Sequence, residues 1–307
     1  MPTNDLPSFQ PLTGVYEPSG IRQLADGRFI VVEDEEKHAL SLLSIDADYI
    51  RCTALEAPFW SWGDGDFWKL DDLEGVTADW AGNIYATTSH SRDSNGDERK
   101  SRERLVRFRI EGDSVVDPRV IGSLKHDLVA AHPELAAYAG IRQVKSEGGL
   151  NIEALEMSAD QSRLLIGFRS PLLDGRAIIA SIENPGAIFD GDEPPRIGAT
   201  LTTLDLGGNG IRGMAWVTSL AGYLLIGGPM AREQIEFDLW FWAGGDENRP
   251  RRVSVAGLPG FEHAEGISEA VIDGRQCIIV VSDDGSRGEG RFARFLIVEP
   301  EQLRIED

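Results

Sequence analysis

Five copies of one short phrase run through this chain, and they constrain its architecture before any local element is considered. Each copy has a polar residue, then Gly or Ala, then an apolar residue. A turn follows about seven positions on, and then a run of strand formers. The copies begin Ser19-Gly20-Ile21, Glu74-Gly75-Val76, Glu153-Ala154-Leu155, Arg212-Gly213-Met214 and Glu265-Gly266-Ile267. A unit of this size cannot bury a core by itself, so a repeat of this period points to a stack or ring of similar units.

The Gly or Ala markers fall at 20, 75, 154, 213 and 266, giving intervals of 55, 79, 59 and 53 residues. Turn signals follow each marker: Asp26-Gly27, Gly82-Asn83, Asp160-Gln161, Ala221-Gly222 and Asp273-Gly274. Such pairs tolerate the positive φ of tight hairpins. Next comes a short apolar strand in every copy, from Arg28-Phe-Ile-Val-Val to Gln276-Cys-Ile-Ile-Val. Third strands are expected over Leu40–Ile45, Leu105–Ile110, Ala177–Ile182, Leu239–Trp242 and Phe292–Val298. Fourth strands are expected over Tyr49–Leu55, Val115–Ile121, Ile197–Leu206 and Arg252–Val255. The fifth unit has no convincing fourth strand of its own, and Phe9–Tyr16 can supply it and close the ring. The pattern predicts an all-β, five-bladed β-propeller filling residues 1–307 as one domain. The long second interval holds a short helical insertion around 125–140, with a diverged sixth blade there as the alternative.

Acids outnumber bases 51 to 30, a net charge of −21. That field repels phosphate backbones and anionic lipid, so no nucleic-acid or membrane partner is expected. Cys52 and Cys277 sit in apolar strands without metal or disulfide spacing and read as buried thiols. Neither a signal region nor a membrane-spanning apolar run is present in the sequence, and a cytoplasmic location is the expectation.

In a propeller the first strand of each blade lines the channel and the second returns to the same face. The starts of first strands (Ser19, Glu74, Glu153, Arg212, Glu265) and the ends of second strands therefore share one rim. The second set holds Asp34, His90, Arg169 and Asp283. Three glutamates around one axis repel each other unless a proton, a cation or an arginine neutralises them. Oxygen-only ligands suit a hard divalent cation, so Glu74, Glu153 and Glu265 are the expected metal ligands, with Ca²⁺ foremost and Mg²⁺ or Mn²⁺ as alternatives. The competing arrangement has Arg212 bridging Glu153 and Glu265 as a salt-bridged plug. His90, Asp34 and Asp283 are the expected proton carriers, and Arg169 and Arg212 the expected clamps on a small anionic substrate.

Two further loops carry marks of their own. Asp93-Ser-Asn-Gly-Asp-Glu has oxygen ligands at alternate positions, but its glycine stands fourth and not sixth as in a calcium loop. Trp60-Ser-Trp-Gly-Asp-Gly-Asp-Phe-Trp is either a substrate wall or a loop packed on its own rings. Serine-hydrolase elbows, phosphate-cradling loops and paired-histidine zinc motifs are all missing from the sequence.

Several of these stretches together resemble the domain-of-unknown-function 3616 family. They are Asp72-Leu-Glu-Gly-Val, Ala86-Thr-Thr-Ser-His-Ser-Arg, Asn151-Ile-Glu-Ala-Leu, Leu165-Ile-Gly-Phe-Arg-Ser-Pro-Leu, Gly210-Ile-Arg-Gly-Met, Leu225-Ile-Gly-Gly-Pro and Ala264-Glu-Gly-Ile. That family resembles esterase-like phytase propellers and, more distantly, gluconolactonase-type propellers that hold a divalent ion over the channel. The resemblance implies a propeller with an ion at the Glu74, Glu153, Glu265 mouth, and it brings no established activity. Arg212 and Ser19 depart from a fully acidic ring. Two functions are expected from all this: a metal-dependent hydrolase of small anionic esters, phosphoesters or lactones, or a non-catalytic propeller that binds a ligand or protein.

Overall fold

The computed structural model describes residues 7–35, 39–46, 49–57, 66–230, 237–245 and 249–306. Five antiparallel sheets are present, each opened by one copy of the repeated phrase. Their innermost strands are Pro18–Gln23, Leu73–Ala78, Asn151–Met157, Gly210–Val217 and Ala264–Ile272, in blades one to five. Each innermost strand packs against the next, and the fifth packs against the first, so the ring is closed and five-bladed.

The phrase has a physical reason at both of its first two positions. In every blade the pairing of first and second strands slips by one residue at the leading position: at Ser19, Glu74, Glu153, Arg212 and Glu265. A β-bulge leaves that residue outside the ladder and re-aims its side chain. The following Gly or Ala is small because neighbouring inner strands nearly touch there. A methyl group on Gly75 would lie 2.7 Å from the Leu155 backbone nitrogen, and one on Gly213 would strike the Glu265 carbonyl. Bulge and close approach together place one leading side chain per blade at the channel mouth.

Ring closure is made by the N-terminal segment. Gln10–Pro11 pairs with Arg294–Val298 as the fourth strand of blade five, and Leu12 N–H donates to the Ala293 carbonyl at 2.7 Å. Leu12 and Val15 are fully buried between blades one and five. The C-terminal strand Leu303–Ile305, not foreseen from the sequence, adds a fifth strand to blade four beside Arg251–Val255. The remaining outer strands agree with expectation within a few residues, the widest difference being Thr202–Leu204 against the expected 197–206.

The insertion after blade two is helical, over Leu124–Ala131, Ala136–Ala139 and Val144–Glu147. Leu124, Leu128 and Leu135 are its buried anchors and join the core shared by blades two and three. Across the channel floor, Glu156 receives hydrogen bonds from Thr77 Oγ1 (2.6 Å) and Arg22 Nη1 (3.0 Å). This bridge ties blades one, two and three together at the end of the channel opposite the acidic rim. The aromatic loop from Trp60 lies mostly outside the described residues. Of its described part, Phe67 is buried edge-on against Phe108, their ring centres 5.3 Å apart.

Candidate functional site

A cavity of about 360 Å³ opens where the five bulges converge. Ser19, Glu74, Glu153, Arg212 and Glu265, the five leading residues of the repeat, all line it. Asp34, Arg169 and Asp283 come to the same wall from the ends of second strands. Residues up to 264 positions apart in sequence (Ser19 to Asp283) thus share one mouth.

The structure divides the three glutamates. Glu153 accepts a hydrogen bond from Arg169 Nη1 at 2.9 Å and another from Asn151 Nδ2 at 2.8 Å. Arg212 Nε stands 2.9 Å from Glu153 Oε2 as an ion pair, without its N–H aimed along the line of a hydrogen bond. The same guanidinium pairs through Nη2 with Glu265 Oε1 and lies 5.7 Å from the centre of the Phe237 ring. Glu153 and Glu265 are therefore neutralised by two buried arginines. The reason lies in the repeat itself: Arg212 occupies the leading position of the blade between them.

Glu74 stands apart from that network. It is 7% exposed and has no ion pair or hydrogen bond among the described residues. Its neighbours are Asp34 and Asp72, and one carboxylate oxygen from each of the three lies within 4.8 Å of the others. Burial first, and then the charges of Glu153, Asp72 and Asp34, hold the Glu74 carboxyl well above its usual range. Asp34 is pushed up to about 9, by burial and by the Asp72 carboxylate. Asp72 moves the other way: although burial opposes it, hydrogen bonding from Asp34 and the charge of Arg102 hold it low. Its oxygen Oδ2 also accepts from Ser89 Oγ, from Ser91 Oγ (3.3 Å) and from Arg102 Nη1 (3.0 Å). Three carboxylate oxygens so close, two of them on carboxyls held above their usual range, are a donor set that a hard divalent cation fits.

Asp283 faces the cavity with its carboxyl raised by burial to about 7. His90 is elsewhere. Its ring is wholly buried, lines none of the described cavities, and has no hydrogen-bond partner at either nitrogen among the described residues. Burial, then the nearby Lys125 charge, pull it down to about 3. The chain leaves the second strand of blade two in a left-handed turn at His90 (φ 55°), and Ser89, one residue earlier, meets Asp72 instead. The calcium-loop carboxylates are likewise engaged: Asp93 with Arg99 (2.7 Å), Asp97 with Arg142 (2.9 Å) and Glu98 with Arg92 (2.8 Å).

Two residues of this site escaped the sequence reading. Asp72 carried a signal, since it stands two positions before a bulged Glu74 and so reaches the same rim. Lys145 carried none, because it arrives on the helical insertion, outside the repeat.

Residues 119–293, more than half of the chain, match the family described as a protein of unknown function, DUF3616, and the chain belongs to that family. No curated protein matches the sequence. Among solved structures, the fold is similar to a thermostable family-43 glycoside hydrolase at 11% identity, covering 97% of this chain and 96% of that one, with a TM-score of 0.55. A glucose dehydrogenase is similar at 13% identity over 95% and 99% of the two chains, TM-score 0.49. A candidate gluconolactonase is similar at 12% identity over 98% and 94%, TM-score 0.44. At such identities the likeness concerns the propeller fold and not the chemistry. No helix among the described residues is long and apolar enough to cross a membrane.

Proposed function

We propose that this propeller is a metal-dependent hydrolase of small anionic esters, phosphoesters or lactones, with its divalent cation held by Asp34, Asp72 and Glu74. The observation that carries the reading is Glu74: a buried carboxylate with no ion pair among the described residues, beside two further acids, in the cavity that Arg169 and Arg212 also line. An all-oxygen set favours Ca²⁺, Mg²⁺ or Mn²⁺ over Zn²⁺. A bound cation of this kind polarises an ester or phosphoryl oxygen and acidifies a water.

The chain's own groups divide the remaining work. Arg169 and Arg212 line the same cavity, and the N–H groups that Glu153 and Glu265 leave unpaired are the ones that would meet the anionic group of the substrate. Asp283, raised to about 7, can take and return a proton near neutral pH. Of the three expected proton carriers this reading keeps Asp283, makes Asp34 a cation ligand and gives no role to His90, whose ring is buried. Ser89 and Arg102 orient Asp72 from behind, as outer partners of a ligating carboxylate do.

A second reading has one observation in its favour. Arg212 bridges Glu153 and Glu265 in the way a salt-bridged channel plug would, which suits a non-catalytic ligand-binding propeller. Screening ester, lactone and phosphoester panels with added Ca²⁺, Mg²⁺ or Mn²⁺ and with EDTA separates the two. The hydrolase reading expects turnover that EDTA abolishes and Glu74→Gln removes. Inactivity across the whole panel with every cation supports the second reading.

A further inference from the structure

We propose that the ligand of this mouth is elongated and carries a second anionic group, which Lys145 holds in an adjoining compartment. The inference rests on the reading of the mouth as an anion-binding site and extends it to the shape and charge of what enters. The acidic cavity does not end at its own wall. A second cavity of about 740 Å³ adjoins it, and Asp34 and Lys145 belong to the walls of both. A compact monoanion at Arg169 and Arg212 would leave that larger compartment unfilled.

The second compartment lies between the loop after the second strand of blade two and the helical insertion. Its arginines are already committed to acids: Arg92 to Glu98, Arg99 to Asp93, Arg102 to Asp71 and Asp72, and Arg142 to Asp97. Lys145 differs from all of them. It is exposed, stands at the junction of the two cavities, and has no ion pair or hydrogen bond among the described residues. It lines the mouth together with Asp34 and Asp283, and the second compartment together with Asp34 and Asp72.

The insertion is anchored so that this position is defined. Arg142 donates to Asp97 at 2.9 Å and reaches the Asn95 carbonyl at 3.4 Å, three residues before Lys145. Leu124, Leu128 and Leu135 bury the other side of the insertion in the core. Arg169 and Arg212 line the first cavity alone, whereas Lys145 lines both. An ammonium on a flexible stem suits a phosphate or carboxylate whose exact position varies with the ligand.

Calorimetric titration with inorganic phosphate and with α,ω-alkanediol bisphosphates of increasing chain length, in the presence of Mg²⁺, tests the inference. One chain length should bind roughly tenfold or more tightly than phosphate, the gain of one charge-assisted contact. Lys145→Gln should erase that advantage, lowering bisphosphate affinity more than phosphate affinity, and Lys145→Arg should restore most of it. The inference is overturned if no bisphosphate outbinds phosphate, if wild type binds neither probe, or if Lys145→Gln keeps the full preference. Since Lys145 is exposed, an unchanged unfolding midpoint in the variant confirms that the loss is local. Bisphosphate binding through Lys145 without any turnover would retain this inference while refuting the hydrolase.

Discussion

Arg212 Nε sits 2.9 Å from Glu153 Oε2, tying blade four to blade three inside the channel, and the same guanidinium holds Glu265 of blade five. All three side chains are under a tenth exposed. Removing the arginine strands the buried Glu265 carboxylate and leaves Glu153 with Arg169 alone, which costs far more than the pair itself contributes. Arg212→Met should lower stability by about 3–5 kcal/mol, read from the urea midpoint. The double variant Arg212→Met with Glu265→Gln should recover part of that loss, because one stranded charge is gone.

The acid cluster predicts how cation affinity responds to pH. Asp34 is raised to about 9 and Glu74 also stands well above its usual range, so protons and cation compete for the same oxygens. Apparent affinity for Ca²⁺ or Mg²⁺ should rise as pH increases from about 6 to about 9, by up to tenfold per pH unit for each proton released. In cation-free protein the sign for stability is the reverse. Both groups hold protons more tightly when folded, so their contribution is complete below the unfolded-chain values and declines as pH rises through the folded ones. Unfolding midpoints measured with and without cation at several pH values check both signs.

His90 predicts an opposing effect on the acid side. Its folded value is about 3 against an ordinary 6.5, so acid favours the unfolded chain, where the ring can take up a proton. The resulting loss begins below about pH 6.5 and reaches about 2 kcal/mol at about pH 5. His90→Gln should flatten the stability profile across that window. A profile with the same slope in the variant would place the acid sensitivity elsewhere.

Ring closure depends on the N-terminal segment, and Leu12 is its fully buried residue beside the closing strand. Leu12→Ala should cost about 2–5 kcal/mol, as truncation of a buried leucine does. The rim acids lie on other strands, so cation binding at a temperature where the variant is still folded should be unaffected.

The blades were legible in the sequence because each copy of the phrase must solve the same problem. A small residue is required where inner strands nearly touch, as at Gly75 and Gly213, and a bulge precedes it. The Phe9–Tyr16 closure was legible for a similar reason, since a propeller cannot leave one blade a strand short. Side-chain pairing within the rim was harder to read. Ring order put Arg212 between Glu153 and Glu265, but which acids it would neutralise, and that Asp72 would join Glu74, depends on bulge geometry within a few ångströms. His90 was misplaced because one left-handed residue turns the chain at the end of its strand. Lys145 and the strand Leu303–Ile305 lie outside the repeat, where no periodicity announces them.

Calorimetric titration of Ca²⁺, Mg²⁺ and Mn²⁺ into EDTA-stripped protein, wild type beside Glu74→Gln and Glu265→Gln, tests the account at its centre. One cation should bind per chain, Glu74→Gln should abolish it, and Glu265→Gln should leave it in place because that carboxylate serves Arg212. Absence of binding by wild type, or binding that survives Glu74→Gln, would contradict the assignment of Asp34, Asp72 and Glu74 as the cation's ligands.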